Sequence, residues 1–368
     1  MKLLYITQRA NEEGGVQRVL AVKTNYLIEK FNYEIGIITQ NEGNDNLFFE
    51  FNERIEFYDI SLKSNKAFNL FRYKKELEKY IKKVQPDCII VCDFALKSFS
   101  IPFLINTKIP IIFEAHGSRF NEYKESVFFG FTNKFKYIYR NYCARQFFSF
   151  VALSEESVNE WSVKNSIVIP NALWFKTKSF SNLKAKKIIA VARHSHEKGI
   201  DRLLQIWKLT VEKHPDWLLE IYGKSNEDLG LLNLAKKLNI EKSVAFLNPV
   251  KHIQQKYTEA SILVMASRNE ALPMVLIEAM ACGLPCIAYD CPVGPKAIIQ
   301  NNKNGFLIED GNKESFAEKL NILIEDENLR IQMGAEAIKS VEKYDLDTIM
   351  NQWKNLFESI LKNSSKVQ

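Results

Sequence analysis

The chain has 368 residues and a mass of 42.7 kDa, which is typical of two domains of ordinary size. Hydrophobic residues make up 46% and charged residues 26%, with only 14 Gly and 10 Pro, so collagen-like and low-complexity classes are excluded. The net charge is +6, and each half of the chain, divided at residue 175, has three more basic than acidic residues. This even distribution excludes a basic arm for nucleic acid.

The N-terminal segment MKLLYITQRA predicts a strand rather than a secretory leader, because its apolar run ends at Gln8 and Arg9. No apolar stretch reaches the roughly 18 residues of a membrane-spanning helix. The six cysteines are sparse, and Cys282, Cys286 and Cys291 have no nearby histidine or second cysteine pair to complete a zinc site. We therefore expect buried, reduced cysteines in a cytoplasmic protein, and no bound metal.

Short runs rich in Ile and Val alternate with amphipathic stretches through the first half of the chain. The predicted strands are KLLYIT, EIGIIT, RIEFYDI, DCIIVCD, PIIFEA and FSFVALS. Helical spacing covers Val16 to Phe31, Phe68 to Val84, and residues 131–148. Because the strands lack the alternation of a half-exposed sheet, the pattern predicts a parallel sheet covered by helices on both faces.

A polar segment without apolar periodicity, residues 176–187, is interpreted as an interdomain linker. A second α/β series begins at KIIAVAR and ends at NGFLIED, and Asp345 to Leu361 predicts a final amphipathic helix. The predicted organisation is an α/β protein with two Rossmann-like domains, at 1–172 and 173–345, and a C-terminal helix within 346–368.

Ligands of parallel sheets bind at the carboxyl ends of the strands, so the loops there are the candidate sites. After the first strand, Gly14 and Gly15 precede a helix and let backbone amides approach an anion. The loop lacks the G-x-G-x-x-G pattern, which disfavours nicotinamide binding. A mobile helix entry is the alternative interpretation of the two glycines.

The run SRNEALPMVLIEAMACGLP, residues 267–285, is the most informative stretch of the chain. Pro273 suits the first turn of a helix, which leaves the amides of Met274 and Val275 without intrahelical partners. Glu270 precedes this helix and Glu278 lies on it. Two carboxylates beside bare amides suit the hydroxyl groups of a polyol, although either Glu alone is unremarkable.

Two further loops carry charge or a titratable ring. Arg193 and Lys198, in VARHSHEKG, follow a strand of the second series and predict a clamp for a diphosphate. His116, in FEAHGSR, lies at the end of a strand of the first series. Solvated loop charges and a structural histidine are the alternatives. The loop with Arg193 and Lys198 and the loop with Glu270 both follow strands of the second series, which favours the functional interpretation of the clamp.

Together these residues resemble the family 4 retaining glycosyltransferases, which have the GT-B architecture. The resemblance covers nearly the whole chain and depends on NEALPMVLIEAMACGLPCIA, ARHSHEKG, the Gly14–Gly15 loop, His116 and Asn171 in IPNAL. It implies two Rossmann-like domains that face each other across a cleft, with the last helix crossing back to the first domain. It also implies that the second domain binds a nucleotide sugar and the first an acceptor.

The resemblance assigns a role to each matching residue. Arg193 and Lys198 would hold the donor diphosphate and stabilise the charge that builds on the leaving nucleotide, without a metal. Glu270 and the amides from Leu272 to Val275 would bind the sugar and phosphates. Glu278 would accept hydrogen bonds from the ribose, and the backbone at Gly14 and Gly15 would approach the diphosphate. Asn171 would bind the donor, and His116 would reach the transferred sugar.

The chain departs from the family pattern in two places. Ala192 stands where the family usually has Gly, and Ala297, in DCPVGPKAII, stands where a subgroup that commonly uses UDP-sugars often has an acid. The resemblance implies a hexose or N-acetylhexosamine donor, with UDP favoured as the nucleotide. The chain's D-x-D, Asp345-Leu346-Asp347, is interpreted as a helix cap rather than a metal site.

Two N-terminal segments, residues 63–83 and 119–145, combine basic and aromatic residues. Such a face suits an anionic membrane surface, and family acceptors are often lipid-linked. We therefore expect a lipid-linked saccharide acceptor, a role in cell-surface polysaccharide or lipopolysaccharide assembly, and peripheral binding to the inner face of the cytoplasmic membrane. Ordinary solvated helices are the alternative. No recognition motif points to nucleic acid.

Two other functions remain open at this stage. A glycoside hydrolase would use Glu270 and Glu278 as an acid/base pair. A non-catalytic, membrane-associated protein would bind the sugar nucleotide without turnover.

Overall fold

The computed structural model describes residues 1–44, 46–62, 69–118 and 127–364, without the side chains of 127–133 and 363–364. The chain forms two compact units. The first comprises Met1–Trp174 together with the C-terminal segment from Leu346, and the second comprises Phe175–Asp345. The sequence placed the first boundary at residue 172 and the second at residue 345.

The first unit is built on a fully parallel sheet of seven strands. The strands are β1 (Lys2–Ile6), β2 (Glu34–Thr39), β3 (Glu56–Asp59), β4 (Cys88–Val91), β5 (Ile111–Glu114), β6 (Ser149–Ala152) and β7 (Ser166–Val168), in the order β3-β2-β1-β4-β5-β6-β7. The central strands β1, β4, β5 and β6 are almost wholly buried, as their Ile- and Val-rich runs predicted.

In the described part of this unit, six helices connect the strands. They are α1 (Gly15–Phe31), α2 (Asn69–Val84), α3 (Leu96–Phe99), α4 (Ile101–Leu104), α5 (Val127–Ala144) and α6 (Glu155–Trp161). Two apolar clusters, one on each face of the sheet, pack these helices against it. The chain therefore returns to the same sheet edge after each helix, which gathers the loops that follow the strands.

The second unit repeats the architecture with six parallel strands. They are β8 (Lys187–Val191), β9 (Leu218–Tyr222), β10 (Val244–Leu247), β11 (Ile262–Met265), β12 (Cys286–Tyr289) and β13 (Gly305–Ile308), in the order β10-β9-β8-β11-β12-β13. The strand order reverses between β8 and β11. Open α/β sheets bind ligands outside the carboxyl ends of strands at such a switch point.

The helices of the second unit are α7 (Ile200–Val211), α8 (Leu231–Lys237), α9 (Ile253–Thr258), α10 (Met274–Ala281), α11 (Lys313–Glu325) and α12 (Glu327–Val341). The sequence analysis predicted the helix that begins near Pro273, which is α10. Short 3-10 helices flank several loops, including His196–Lys198 and Pro295–Ala297.

The last helix, α13 (Leu346–Ser364), belongs to the first unit. Its buried residues Trp353, Phe357 and Ile360 share an apolar cluster with Leu3 and Tyr5 of β1. The prediction that this helix crosses back to the first domain is confirmed. Among the described residues, no helix combines the length and apolar character needed to cross a bilayer.

Part of the predicted interdomain linker, residues 176–187, packs on the second unit, which begins at Phe175. Leu183 is buried, its carbonyl accepts from the Arg330 guanidinium at 3.2 Å, and the Ser181 amide donates to the Cys282 carbonyl at 2.9 Å. One leucine and a few backbone groups suffice to dock a polar segment, so the absence of apolar periodicity did not indicate a detached chain.

Candidate active site

Three loops lie side by side at the carboxyl edge of the second sheet, since β8, β11 and β12 are neighbours in it. They are residues 192–199, 266–273 and 290–294. Gly199 has a φ of +62°, and a Cβ there would lie 2.1 Å from the Ala266 carbonyl oxygen. Glycine thus permits both the left-handed turn and the contact between the first two loops.

Lys198 and Glu270 form the centre of this arrangement. Lys198 Nζ lies 2.7 Å from Glu270 Oε1, and the Ser267 hydroxyl donates to the same oxygen at 2.7 Å. Glu270 is only 8% exposed, whereas Lys198 is half-buried. The sequence predicted both residues for the site but did not foresee that they would pair directly.

Arg193 and Ala192 lie on the same loop as Lys198. Arg193 is exposed, while Ala192 is half-buried and its amide donates to the Tyr222 carbonyl at 2.9 Å. Burial opposes ionisation of Glu197, but hydrogen bonds and the charge of Arg193 outweigh it and lower its pKa. The predicted two-cation clamp therefore has one cation held at Glu270 and one at the loop surface.

Arg268 joins the two loops and was missed by the sequence analysis. Its guanidinium binds both carboxylate oxygens of Asp201, at 2.9 and 2.7 Å, and donates to the His196 carbonyl at 2.8 Å. Its amide donates to the Glu197 carbonyl at 2.7 Å. A bidentate pair of this kind fixes geometry as well as adding energy. Only its position between Ser267 and Glu270 hinted at this role.

The N-terminus of α10 completes the carboxyl edge. Pro273 is the N-cap and not, as predicted, a residue of the first turn, because its ψ of 96° is extended. The Leu276 amide returns to the Pro273 carbonyl at 3.0 Å, and the N-cap forms no side-chain hydrogen bond. The half-buried residues Met274 and Val275 present the remaining first-turn amides, beside the buried Leu272.

Glu278 lies one turn further along α10 and is 4% exposed. The Tyr257 hydroxyl, on α9, donates to its Oε2 at 3.0 Å. A carboxylate oriented by a tyrosine hydroxyl can accept hydrogen bonds from further hydroxyl groups. Glu270 and Glu278 thus have different partners in the second unit.

The segment DCPVGPKAII packs against the Glu270 loop. The Gly294 amide donates to the Glu270 carbonyl at 3.2 Å, and a Cβ on Gly294 would lie 2.7 Å from Pro273 Cδ. Val293 forms an isolated parallel bridge with Glu270. Ala297 is half-buried in the following 3-10 helix. These contacts fix the position of the Glu270 loop relative to residues 293–294.

In the first unit, α1 begins at the predicted two-glycine loop. Gly14 is its N-cap, no side chain caps it, and its first turn contains no acidic residue. A Cβ on Gly15 would meet nothing within 4 Å, and one on Gly14 would meet only the Gln17 side chain. The described neighbours would therefore accommodate a side chain at position 15.

His116 follows β5 in the first unit and contacts a carboxylate that the sequence analysis did not use. Its Nε2 lies 2.8 Å from Glu114 Oε2, and Glu114 Oε1 pairs with Lys23. Asn171 is half-buried after β7. The sequence thus placed His116 at a strand end correctly but missed the ion pair beneath it.

All six cysteines are buried and unpaired with one another, as predicted. Burial raises the pKa of the Cys282 thiol to about 12. Within the described part of the chain, one group of side chains has ligand atoms close enough to share an ion, namely Cys92, Glu114 and His116, all within 4.8 Å. The Lys23 ammonium already occupies this carboxylate.

The two basic and aromatic segments are described only in part. Residues 63–68 and 119–126, with the side chains of 127–133, lie outside the described residues. On α2, Tyr73 is buried and Phe71 is 72% exposed. Arg140, predicted for a surface, is instead fully buried beside Phe94. The exposed residues on α5 include Lys134, Phe135, Ile138 and Tyr142, and the exposed Arg145 follows directly after the helix.

Comparison with known proteins places the chain among sugar-transferring enzymes. Residues 175–340 match the family described as glycosyl transferases group 1. An uncharacterised glycosyltransferase of Haemophilus influenzae is 32% identical over 96% of this chain and 99% of its own length.

Two further comparisons extend over almost the whole chain. A Campylobacter jejuni α-1,4-N-acetyl-D-galactosaminyltransferase, named for a GalNAc-containing diNAcBac-PP-undecaprenol, is 24% identical over 98% of this chain and 99% of its own. The crystal structure of a Staphylococcus aureus TarM mutant with fondaparinux, α-GlcNAc-glycerol and UDP has a TM-score of 0.82, with 18% identity over 97% of this chain and 99% of that one. This likeness shows a shared fold.

Proposed function

Because the chain belongs to the glycosyl transferases group 1 family, we propose that it is a retaining glycosyltransferase that uses a nucleotide-diphosphate sugar without a metal. The transferred group is a hexose or N-acetylhexosamine, and UDP is the favoured nucleotide. The acceptor is a saccharide carried on a lipid, in the assembly of a cell-surface polysaccharide or lipopolysaccharide. The named acceptor of the Campylobacter relative and the UDP bound to TarM support these assignments.

The observation that carries the proposal is the Lys198–Glu270 contact beside the first-turn amides of α10. A nucleotide sugar presents a diphosphate next to a ring of hydroxyl groups. A lysine next to a buried carboxylate matches that pair of groups: the ammonium attracts phosphate, and the carboxylate accepts from hydroxyls. The contact lies at the switch point of the second sheet, where such ligands bind.

The proposed chemistry requires charge stabilisation on the leaving nucleotide. As the bond between the sugar and the diphosphate breaks, negative charge grows on the phosphate oxygens. Arg193, Lys198 and the amides of Met274 and Val275 supply fixed positive charge and dipoles for it. Glu270 binds sugar hydroxyls, and Glu278 accepts from the ribose.

In this proposal, the first unit binds the acceptor and also makes two contacts to the donor. His116 contacts the transferred sugar, and the amides at Gly14 and Gly15 approach the diphosphate. The open space around Gly15 supports the second role, because no neighbouring atom in the described structure excludes a side chain there.

The hydrolase alternative is weaker than it was from sequence alone. Membership of a transferase family opposes it. Glycosidases place their two carboxyl groups on either side of the scissile bond, whereas Glu270 and Glu278 lie on one loop and the helix that directly follows it. A non-catalytic sugar-nucleotide binder remains as the alternative outcome of the experiments below.

Gly15→Ala tests whether the two-glycine loop serves a ligand or the fold. The added methyl group meets no neighbour and improves helix propensity, so we expect thermal stability to be unchanged or slightly higher. We also expect the KM for the donor to rise about tenfold, because the methyl group keeps the phosphates away from the amides. An unchanged KM together with unchanged stability would remove the loop from the donor site.

The exposed Lys134, the exposed apolar and aromatic side chains of α5, and Arg145 directly after it support peripheral membrane binding. Basic residues near an anionic surface contribute about 1 kcal/mol each. We expect the protein to co-float with vesicles that contain about one-third anionic lipid, and much less with neutral ones. Replacing Phe135, Ile138 and Tyr142 by serine should reduce flotation. Phe180→Ser, at an equally exposed aromatic of the second unit, should not. Equal binding by all forms would contradict a specific surface.

Ligand-observed NMR across UDP-, GDP- and ADP-sugars tests donor binding directly. We expect saturation transfer to the UDP-sugars, and its loss in a Glu278→Gln variant if that residue accepts from the ribose. Lys208→Met, which alters a surface pair on α7, is the matched control and should bind normally. Failure of every nucleotide sugar to bind the wild-type protein would overturn the proposed function.

A further inference from the structure

A buried ionic chain lies beneath His116 in the first unit. Glu114, the last residue of β5, is 2% exposed, and Lys23 of α1 is 4% exposed. The carboxylate uses both oxygens: Oε1 pairs with the Lys23 ammonium, and Oε2 contacts the His116 imidazole at 2.8 Å. Lys23, which is 91 positions before Glu114 in the chain, is thus linked to the histidine through one carboxylate.

The surroundings of this chain are largely apolar or neutral. The Trp353 ring of α13 lies 4.1 Å from Lys23 Nζ, and the Tyr5 ring of β1 lies 5.4 Å from it. Burial raises the pKa of both the Tyr5 hydroxyl and the Cys92 thiol well above their ordinary values, so both are neutral. Among such neutral neighbours, a buried ion without a partner of opposite charge would cost several kcal/mol.

The charge state of the carboxylate follows from its neighbours. Burial alone would raise the pKa of Glu114, but Lys23 and His116 outweigh burial and lower this pKa to about 2. A neutral thiol is a poor metal ligand, and an ammonium already holds the carboxylate. The cluster of Cys92, Glu114 and His116 therefore suits a proton-ordering role better than a metal ion.

The imidazole has two nitrogens with different partners. An ionised carboxylate only accepts hydrogen bonds, so Nε2 must carry the proton that faces Glu114. Nδ1 is buried and has no hydrogen-bond partner among the described residues. In a neutral ring protonated at Nε2, Nδ1 is an acceptor. A buried acceptor without a partner needs one, and a substrate hydroxyl has the right chemistry.

We propose that Glu114, anchored by Lys23, is a positioning residue that holds the proton of His116 on Nε2 and presents Nδ1 as the acceptor for a hydroxyl of the bound sugar. The inference rests on the proposed function, in which His116 contacts the transferred sugar. It goes further by assigning the tautomer, the hydrogen-bond direction and the two residues that enforce them.

The first test measures the tautomer by NMR of full-length protein with ¹⁵N-labelled histidine, near neutral pH. His116→Gln identifies the His116 signals by their disappearance. We expect the two ring ¹⁵N shifts of a neutral imidazole protonated at Nε2. A proton on Nδ1, or an imidazolium, would overturn the proposal. This measurement needs no enzymatic activity, so it decides the inference even if the proposed function fails.

The second test measures transfer in the variant Lys23→Met/Glu114→Gln, which removes both charges together and leaves neither ion stranded. We expect kcat to fall about 10- to 100-fold, as when a histidine loses the partner that orients it, with the donor KM changed less than about threefold. The His116 spectrum should shift toward mixed tautomers. An unchanged kcat with an unchanged spectrum would overturn the proposal.

A matched control separates orientation from general loss of a buried pair. Lys187→Met/Glu220→Gln removes the 2.9 Å Lys–Glu contact between β8 and β9, in the second unit. We expect this control to keep wild-type kcat. If both double variants lose kcat equally, the loss reflects the fold and the positioning role is wrong.

Discussion

Replacing Lys198 by methionine is expected to lower the kcat/KM of sugar transfer by about 100- to 1,000-fold. The ammonium is a half-buried cation at the carboxyl edge of the second sheet, 2.7 Å from Glu270. In the proposed mechanism, its loss removes one of the groups that stabilise charge on the departing phosphate, and Glu270 loses a partner. Most of the loss should appear in kcat, because the charge grows only as the bond breaks.

Steady-state kinetics of Lys198→Met, beside Lys198→Arg and Lys208→Met, checks this prediction. The arginine variant keeps the charge and should retain part of the activity, whereas Lys208→Met alters only a surface pair and should behave like the wild type. If Lys198→Met retained full activity, the assignment of the donor site would be wrong.

Replacing Lys23 by methionine is expected to destabilise the protein by about 3–5 kcal/mol, because it strands a buried carboxylate. Both side chains of this pair are almost completely buried, and each is the other's ionic partner. Lys23→Met/Glu114→Gln should recover much of that loss, since no uncompensated ion remains. Lys79→Met, at an exposed pair on α2, should leave stability unchanged.

The pH dependence of this effect has a definite sign. The pKa of Glu114 is lowered in the folded protein, so its ionised pair stabilises the fold above the ordinary carboxyl pKa. That contribution is lost as the pH falls from about 4.5 toward about 2. The stability difference between wild type and Lys23→Met should therefore be largest near neutral pH and shrink in acid. Urea unfolding over this range measures it, and a difference that grows in acid would contradict the account.

Much of the fold was predictable because the pattern is local. Runs such as KIIAVAR and PIIFEA are buried on both faces, and they became β8 and β5. The α9, α11 and α12 helices were missed. Of these, α9 has only six residues, too few for a periodicity of 3.6 to stand out. The order of the strands in each sheet could not be predicted from local sequence patterns either, because it depends on contacts between distant chain segments.

The candidate site was predictable where residues lie close in sequence. Glu270, the α10 amides and Glu278 belong to one run, and a strand end places them together. Arg268 was missed because its importance depends on Asp201, 67 positions away. Lys23 was missed for the same reason. The sequence pattern of its helix predicts a solvated lysine, and only the folded structure brings it beside Glu114.

The anomeric configuration of the product is the measurement that tests the central claim most directly. The wild-type protein is incubated with the UDP-sugar that binds, an acceptor saccharide on a lipid, and excess EDTA, and the new linkage is read by ¹H NMR coupling constants. The account predicts transfer in EDTA, with the anomeric configuration of the donor retained. An inverted linkage, or transfer that appears only when a divalent metal is restored, would contradict it.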